Sequence, residues 1–203
     1  MKTLIIVDVQ NDFCPGGALP VPKGDQVVPV INRIQPRFDM VVATQDWHPA
    51  DHVSFAANHE GRQPGDVIEL GGQPQMLWPV HCVRHTPGAA FHTGLDRRRI
   101  ASVFQKGTDA EVDSYSGFFD NARRRSTGME EYLKERQAAD VYLAGLATDY
   151  CVKFTALDAV ELGFATYVVR DACRGVNLKP DDVADAFDEL AARGVRIIDS
   201  AAI

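Results

Sequence analysis

Several things are scarce in this chain. No apolar run approaches the roughly twenty residues that a membrane-spanning helix needs. Basic residues are outnumbered, 21 Lys and Arg against 28 Asp and Glu, for a formal net charge of −7. That balance offers no basic face to the phosphates of a nucleic acid. The short runs Arg97–Arg99 and Arg123–Arg125 read as solvated surface. Cysteine is limited to Cys14, Cys82, Cys151 and Cys173, widely scattered and never spaced Cys-x-x-Cys. Zinc-finger and redox-dithiol readings are thereby excluded. The N-terminal run Leu4–Val7 is too short for a secretory signal and ends in Asp8. The expectation is a soluble, cytoplasmic protein with reduced thiols, no nucleic-acid partner and no membrane association. Linkers, internal repeats and low-complexity segments are also missing. The 203 residues suit one α/β domain spanning 1–203, with a core of useful size.

What is present is a series of buried strands. Thr3–Val9 is a nearly continuous apolar and β-branched run, the mark of a parallel strand covered on both faces. Met40–Thr44, Ala101–Gln105, Asp140–Ala144, Ala165–Val169 and Val195–Ile198 read as five more. Between them, Asp25–Gln35 is predicted as a helix despite Pro29, and Gly128–Gln137 as another. After Cys151, Val152, Ala156, Ala159 and Val160 recur on one helical face. Asp181–Arg193 carries the stripe Val183, Phe187 and Leu190, with Gly194 placed to end it. Strands alternating with helices predict a six-stranded parallel sheet in a three-layer α/β sandwich. Residues 10–23 and 49–98 show no lasting period; a loop of the latter length inside a compact domain is usually functional.

Ligands of open parallel sheets bind beyond the carboxyl ends of the strands. There the first strand delivers Asp8, the second Asp46 and His48, the third Lys106, and the fourth leads to Cys151. Cys151 follows a strand and begins a helix, with Thr148 or Asp149 in position to cap it. Backbone N–H groups at such a helix start favour a thiolate and suit a developing oxyanion. Asp8 and Lys106 add a proton acceptor and a cation to that nucleophile. Asp46 and His48, two apart in extended chain, project to one side and, with His81, form a metal-ligand set. One carboxylate and two imidazoles leave positions open, as in catalytic zinc or non-haem iron sites. His52 and His59 stand near enough in sequence to supply a further ligand.

Five blocks then carry a resemblance. They are Val7-Asp8-Val9-Gln10-Asn11-Asp12-Phe13, Thr44-Gln45-Asp46-Trp47-His48-Pro49, Trp78-Pro79-Val80-His81-Cys82, Lys106-Gly107 and Ala147-Thr148-Asp149-Tyr150-Cys151-Val152. In this order, over most of the chain, they resemble the nicotinamidases (pyrazinamidases), members of the isochorismatase-like cysteine hydrolases. The resemblance implies hydrolysis of nicotinamide to nicotinate and ammonia in NAD salvage, with pyrazinamide a second substrate. It implies a triad of Asp8, Lys106 and Cys151, and one divalent ion (zinc, iron or manganese) on Asp46, His48 and His81, with His52 an extra ligand in some relatives. It places Phe13, Trp78 and Tyr115 around the substrate ring. A cis peptide before Ala147 is implied as well, with the N–H groups of Ala147 and Cys151 facing the oxyanion. Self-association of the chain is left open. Relatives acting on carbamoyl or ureido groups keep the triad, so the metal set argues against them. An isochorismatase proper would not need the nucleophile. A silent metal-binding module is disfavoured by the intact triad.

Overall fold

A computed structural model describes residues 1–203. Six strands form one parallel sheet: β1 (Lys2–Val7), β2 (Met40–Asp46), β5 (Ile100–Lys106), β6 (Asp140–Leu146), β7 (Ala165–Arg174) and β8 (Arg196–Ile198). They lie in the order β5-β2-β1-β6-β7-β8. Two further strands, β3 (Val67–Leu70) and β4 (Gln73–Met76), pair with each other as a separate antiparallel hairpin. The four helices are α1 (Val27–Ile34), α2 (Met129–Glu135), α3 (Lys153–Glu161) and α4 (Asp182–Ala192).

The period of two in β1 divides the core. Leu4 and Ile6 face one side and pack with Val27 and Ile31 of α1. Ile5 and Val7 face the other, with Leu133 of α2, Val152 just before α3, Ala156 of α3 and Leu190 of α4. Helices on both faces bury Thr3–Val7 of β1 completely, which explains its apolar run. Pro29 is tolerated because it falls in the first turn of α1, where its missing N–H has no partner to lose. Gly194 adopts the left-handed backbone expected after α4.

The predicted three-layer sandwich is the observed fold, and all six sheet strands are found. The ends differ by a few residues: β2 and β6 each run two further than the predicted strands, and β7 extends to Arg174. The β3–β4 hairpin lies inside the segment read as irregular. It escapes periodicity because Val67, Glu69, Gln73 and Pro74 are exposed and little of it is buried.

The strand order also fixes where a site can form. From β1 the chain builds outward through β2 to β5, then returns to the other side of β1 with β6. The direction of winding reverses between β1 and β6, opening a crevice at their carboxyl ends.

Candidate active site

Asp8 is the first residue beyond β1, and its left-handed backbone (φ 47°) turns the carboxylate back over the sheet end. Asp46 and Lys106 end β2 and β5 and are direct partners in the ladder. Cys151 lies in a single π-helical turn, Thr148–Val152, between β6 and α3, and the Leu146–Ala147 peptide before that turn is cis. These four side chains converge. The Lys106 ammonium sits 3.0 Å from Asp8 Oδ2, donates to Ser114 O at 2.9 Å and to Cys151 Sγ at 3.4 Å, and also binds Asp46 Oδ1. All of them are buried.

Burial decides the ionisation here and is then opposed by neighbours. It would strip the charge from Lys106, but Asp46 and Asp8 hold the ammonium well above its usual range. It pushes Asp8 up, with Lys106 opposing. It would raise Asp46 too, but Lys106 and His48 override it and keep that carboxyl far below the ordinary range. Burial pushes the Cys151 thiol well up; Lys106 opposes, while Asp8 and Asp46 add to the rise. The pull toward a thiolate expected at this turn is thus opposed by burial and two carboxylates, with one ammonium in its favour. The Asp8 carboxyl lies near enough to Cys151 to take its proton. The capping expectation is corrected. Neither Thr148 nor Asp149 caps the turn; the Asp149 carboxylate instead accepts the N–H groups of Val176 (2.9 Å) and Asn177 (2.7 Å).

The second cluster is built by loops. His48 N donates to Cys82 O at 3.0 Å and Arg84 N to His48 O at 2.8 Å, a short parallel bridge that draws His81 to the end of β2. Asp46 Oδ2 lies 3.4 Å from His48 Nε2 and 3.9 Å from His81 Nε2. Each imidazole is held through its other nitrogen: His48 Nδ1 is 2.8 Å from Gly107 O, and His81 Nδ1 is 2.8 Å from Pro79 O. Those carbonyls can only accept, so both Nδ1 atoms carry a proton and both Nε2 atoms face Asp46. Backbone-oriented imidazoles of this kind are the usual support of a metal site. An ion with bonds of about 2.0–2.2 Å can span these separations. The donor set fits a divalent metal. Gly107 is part of the fit, because a Cβ there would come within 2.3 Å of the His48 ring. His52 stacks on His48, with ring centroids 4.1 Å apart, but groups with His48 and Asp113 rather than with Asp46 and His81. His59 is drawn away, its Nε2 donating to Val53 O.

Between the clusters lies a small pocket with walls from Phe13, Trp78, Tyr115, Ala147, Tyr150 and Val176, and with Cys151, Asp46 and His81 at its base. Trp78 Nε1 donates to the Tyr115 hydroxyl at 3.2 Å, joining two of these lining residues. Every residue named as a candidate from the sequence, namely Asp8, Lys106, Cys151, Ala147, Phe13, Trp78, Tyr115, Asp46, His48 and His81, belongs to this one locality. Several contributors were not singled out. Gln10 clamps Asp46 from both sides, accepting its N–H and donating to its carbonyl, each at 2.8 Å. Asp113 lines the pocket and accepts from Gln75 of β4 at 2.8 Å. Gln10 stood within a quoted block and could have been found there; Asp113 lies in unpatterned chain and left no signal.

Comparison with known proteins follows the same lines. The isochorismatase domain model matches residues 2–202. The chain is 50% identical over 200 residues to a nicotinamidase of Escherichia coli (strain K12), covering 97% of this chain and 93% of that one. Among solved structures, the yeast nicotinamidase bound to the inhibitor nicotinaldehyde superposes with a TM-score of 0.93 at 36% identity, over 98% of this chain and 100% of that chain. The pyrazinamidase of Pyrococcus horikoshii in complex with zinc gives 0.79 at 39% identity, over 98% of each chain.

Proposed function

The chain belongs to the isochorismatase domain family, and from that premise we propose that it is a nicotinamide amidohydrolase, working through a thioester on Cys151. It releases nicotinate and ammonia, accepts pyrazinamide by the same chemistry, and forms a single catalytic domain over residues 1–203. One observation carries the reading: Cys151 of the buried Asp8–Lys106–Cys151 cluster and Asp46 and His81 of the Asp46–His48–His81 set line one aromatic-walled pocket.

Asp8 takes the proton of Cys151 as sulfur attacks the amide carbonyl. The raised proton affinity of Asp8 suits it to that task. Lys106 stays charged and offsets the negative charge that gathers on sulfur and carboxylate. The backbone N–H groups of Ala147 and Cys151 receive the oxyanion of the tetrahedral intermediate. Protonated Asp8 then passes its proton to the departing ammonia, leaving the thioester. Deprotonated again, it draws a proton from water as that water attacks the thioester and frees the acid. Phe13, Trp78 and Tyr115 hold the ring so that the carboxamide meets sulfur. Asp46, His48 and His81 would hold one divalent ion (zinc, iron or manganese), and such an ion would supply Lewis acidity able to bind the nitrogen of a pyridine ring. On this reading the enzyme serves NAD salvage in the cytoplasm, and its partner is a small molecule rather than nucleic acid or membrane.

Ammonia release from nicotinamide by the purified, metal-loaded protein is the direct test. Turnover with nicotinate as product is the expected result. Silence toward nicotinamide and pyrazinamide, with hydrolysis of a carbamoyl or ureido compound, would overturn the assignment.

A further inference from the structure

We propose that Thr44 is a positioning residue for the reaction: its hydroxyl fixes the Asp8 carboxylate so that Oδ2, and not Oδ1, carries the proton to and from Cys151. The inference rests on the reading of Asp8 as the proton carrier.

Thr44 lies on β2, two residues before Asp46 and on the same side of the strand, and both it and Asp8 are fully buried. Its hydroxyl donates to Asp8 Oδ1 at 2.6 Å and accepts the N–H of Asp8 at 3.2 Å. The two bonds tie the end of β2 to the first residue beyond β1. With Oδ1 satisfied by a neutral donor, Oδ2 faces the Lys106 ammonium at 3.0 Å, and through it the thiol. A carboxylate whose two oxygens are so differently partnered cannot rotate about its Cβ–Cγ bond without breaking both contacts.

The orientation of Thr44 itself is set by packing. Gly117 presses on its methyl group so closely that a Cβ there would come within 2.6 Å. Gly117 is in turn anchored by its N–H to the Thr155 hydroxyl of α3 at 2.9 Å. Methyl against Gly117 leaves the hydroxyl only the side of Asp8, and a β-branched residue holds such a rotamer stiffly. Proton transfer at a reacting centre loses on the order of 10²-fold when the donor or acceptor is displaced by about an ångström.

The test compares Thr44→Val, Thr44→Ala and Thr44→Ser with the wild type and with Asp8→Asn, all metal-loaded. Nicotinamide kinetics and thermal midpoints are measured for each. Removing the hydroxyl in Thr44→Val or Thr44→Ala should lower kcat by about 10- to 100-fold with KM changed less than about threefold. Thr44→Ser, which keeps the hydroxyl, should return kcat to within about fivefold of wild type even if its midpoint falls, since the methyl contact is lost. Should Thr44→Val fail to fold, the Ala–Ser pair decides the question alone. Wild-type kcat in Thr44→Ala, or a Thr44→Ser enzyme as slow as Thr44→Ala, overturns the inference. Full activity in Asp8→Asn would instead strike the underlying assignment of Asp8.

Discussion

The two halves of the site are held by different means. Around Cys151 the partners are side chains at strand ends: one ammonium, Lys106, bridges the Asp8 and Asp46 carboxyls, and Asp46 and Lys106 are paired in the ladder beneath. Around Asp46, His48 and His81 the imidazoles are aimed by backbone carbonyls of loops, those of Gly107 and Pro79. The first half is held by contacts within the chain. The second is shaped in advance but needs a cation to bring its lone pairs together. Chemistry belongs to the first and ring recognition to the second, and substitutions should separate the two.

The largest effect belongs to the nucleophile. Cys151→Ala should cost about 10³-fold or more in kcat on every amide, with metal content and melting temperature unaltered. Retention of more than a few per cent of activity would contradict the thioester. Next come the ligands. His81→Ala should lose bound metal, and with it the preference for nicotinamide over benzamide, which has the same amide but no ring nitrogen. A site built around one polar atom can reject the analogue lacking it by large factors. An unchanged nicotinamide-to-benzamide ratio in kcat/KM would deny the ion its part in ring recognition.

A subtler probe sits on the boundary. Gly107 follows Lys106 directly, yet Gly107→Ala drives its methyl into the His48 ring. Metal affinity should fall about 10- to 100-fold, as for other outer supports of a ligand, while alkylation of Cys151 by iodoacetamide is unaltered. A changed alkylation rate with metal binding intact would show that the halves do not divide as described.

The smallest effect is on stability. Burial, and then the neighbouring His48, lower His52 and His81 to about 4 from the usual 6.5. Between pH 6.5 and 4 the unfolded chain then binds more protons than the native one at these groups, so stability drops as pH falls through that window. His48, raised by Asp46, works in the opposite sense. In chelator-treated protein, His52→Gln should flatten the pH dependence of the melting temperature across this range. An identical slope in the variant would mean that His52 titrates alike in the native and unfolded chains.

Much of this was readable in the sequence because both halves begin at the ends of buried parallel strands. Such strands announce themselves as apolar runs, and the polar residue that ends each run stands out. Asp8, Asp46 and Lys106 were found in that way, as was the strand leading to Cys151. The aromatic walls were not: Phe13, Trp78 and Tyr115 came from family resemblance, since loop residues obey no period. Asp113 and the β3–β4 hairpin were missed for the same reason. The forces that raise the Cys151 thiol, burial and the second carboxylate Asp46, become visible only when the strands are side by side. Asp149 shows the limit of local reading. It has the chemistry of a helix cap, but the chain brings the N–H groups of Val176 and Asn177 within its reach from far along the sequence.

The position of β1 has a consequence for how this protein matures. It pairs on one side with β2, which follows early, and on the other with β6, most of the chain away. Closing a pairing of that separation is slow relative to local structure, because the loop entropy must be lost before the contacts form. Asp8 and Cys151 stand on opposite sides of that last seam. A nascent or refolding chain can therefore hold much of its secondary structure while it has no working site, and activity should return with the slowest folding phase rather than with the helices.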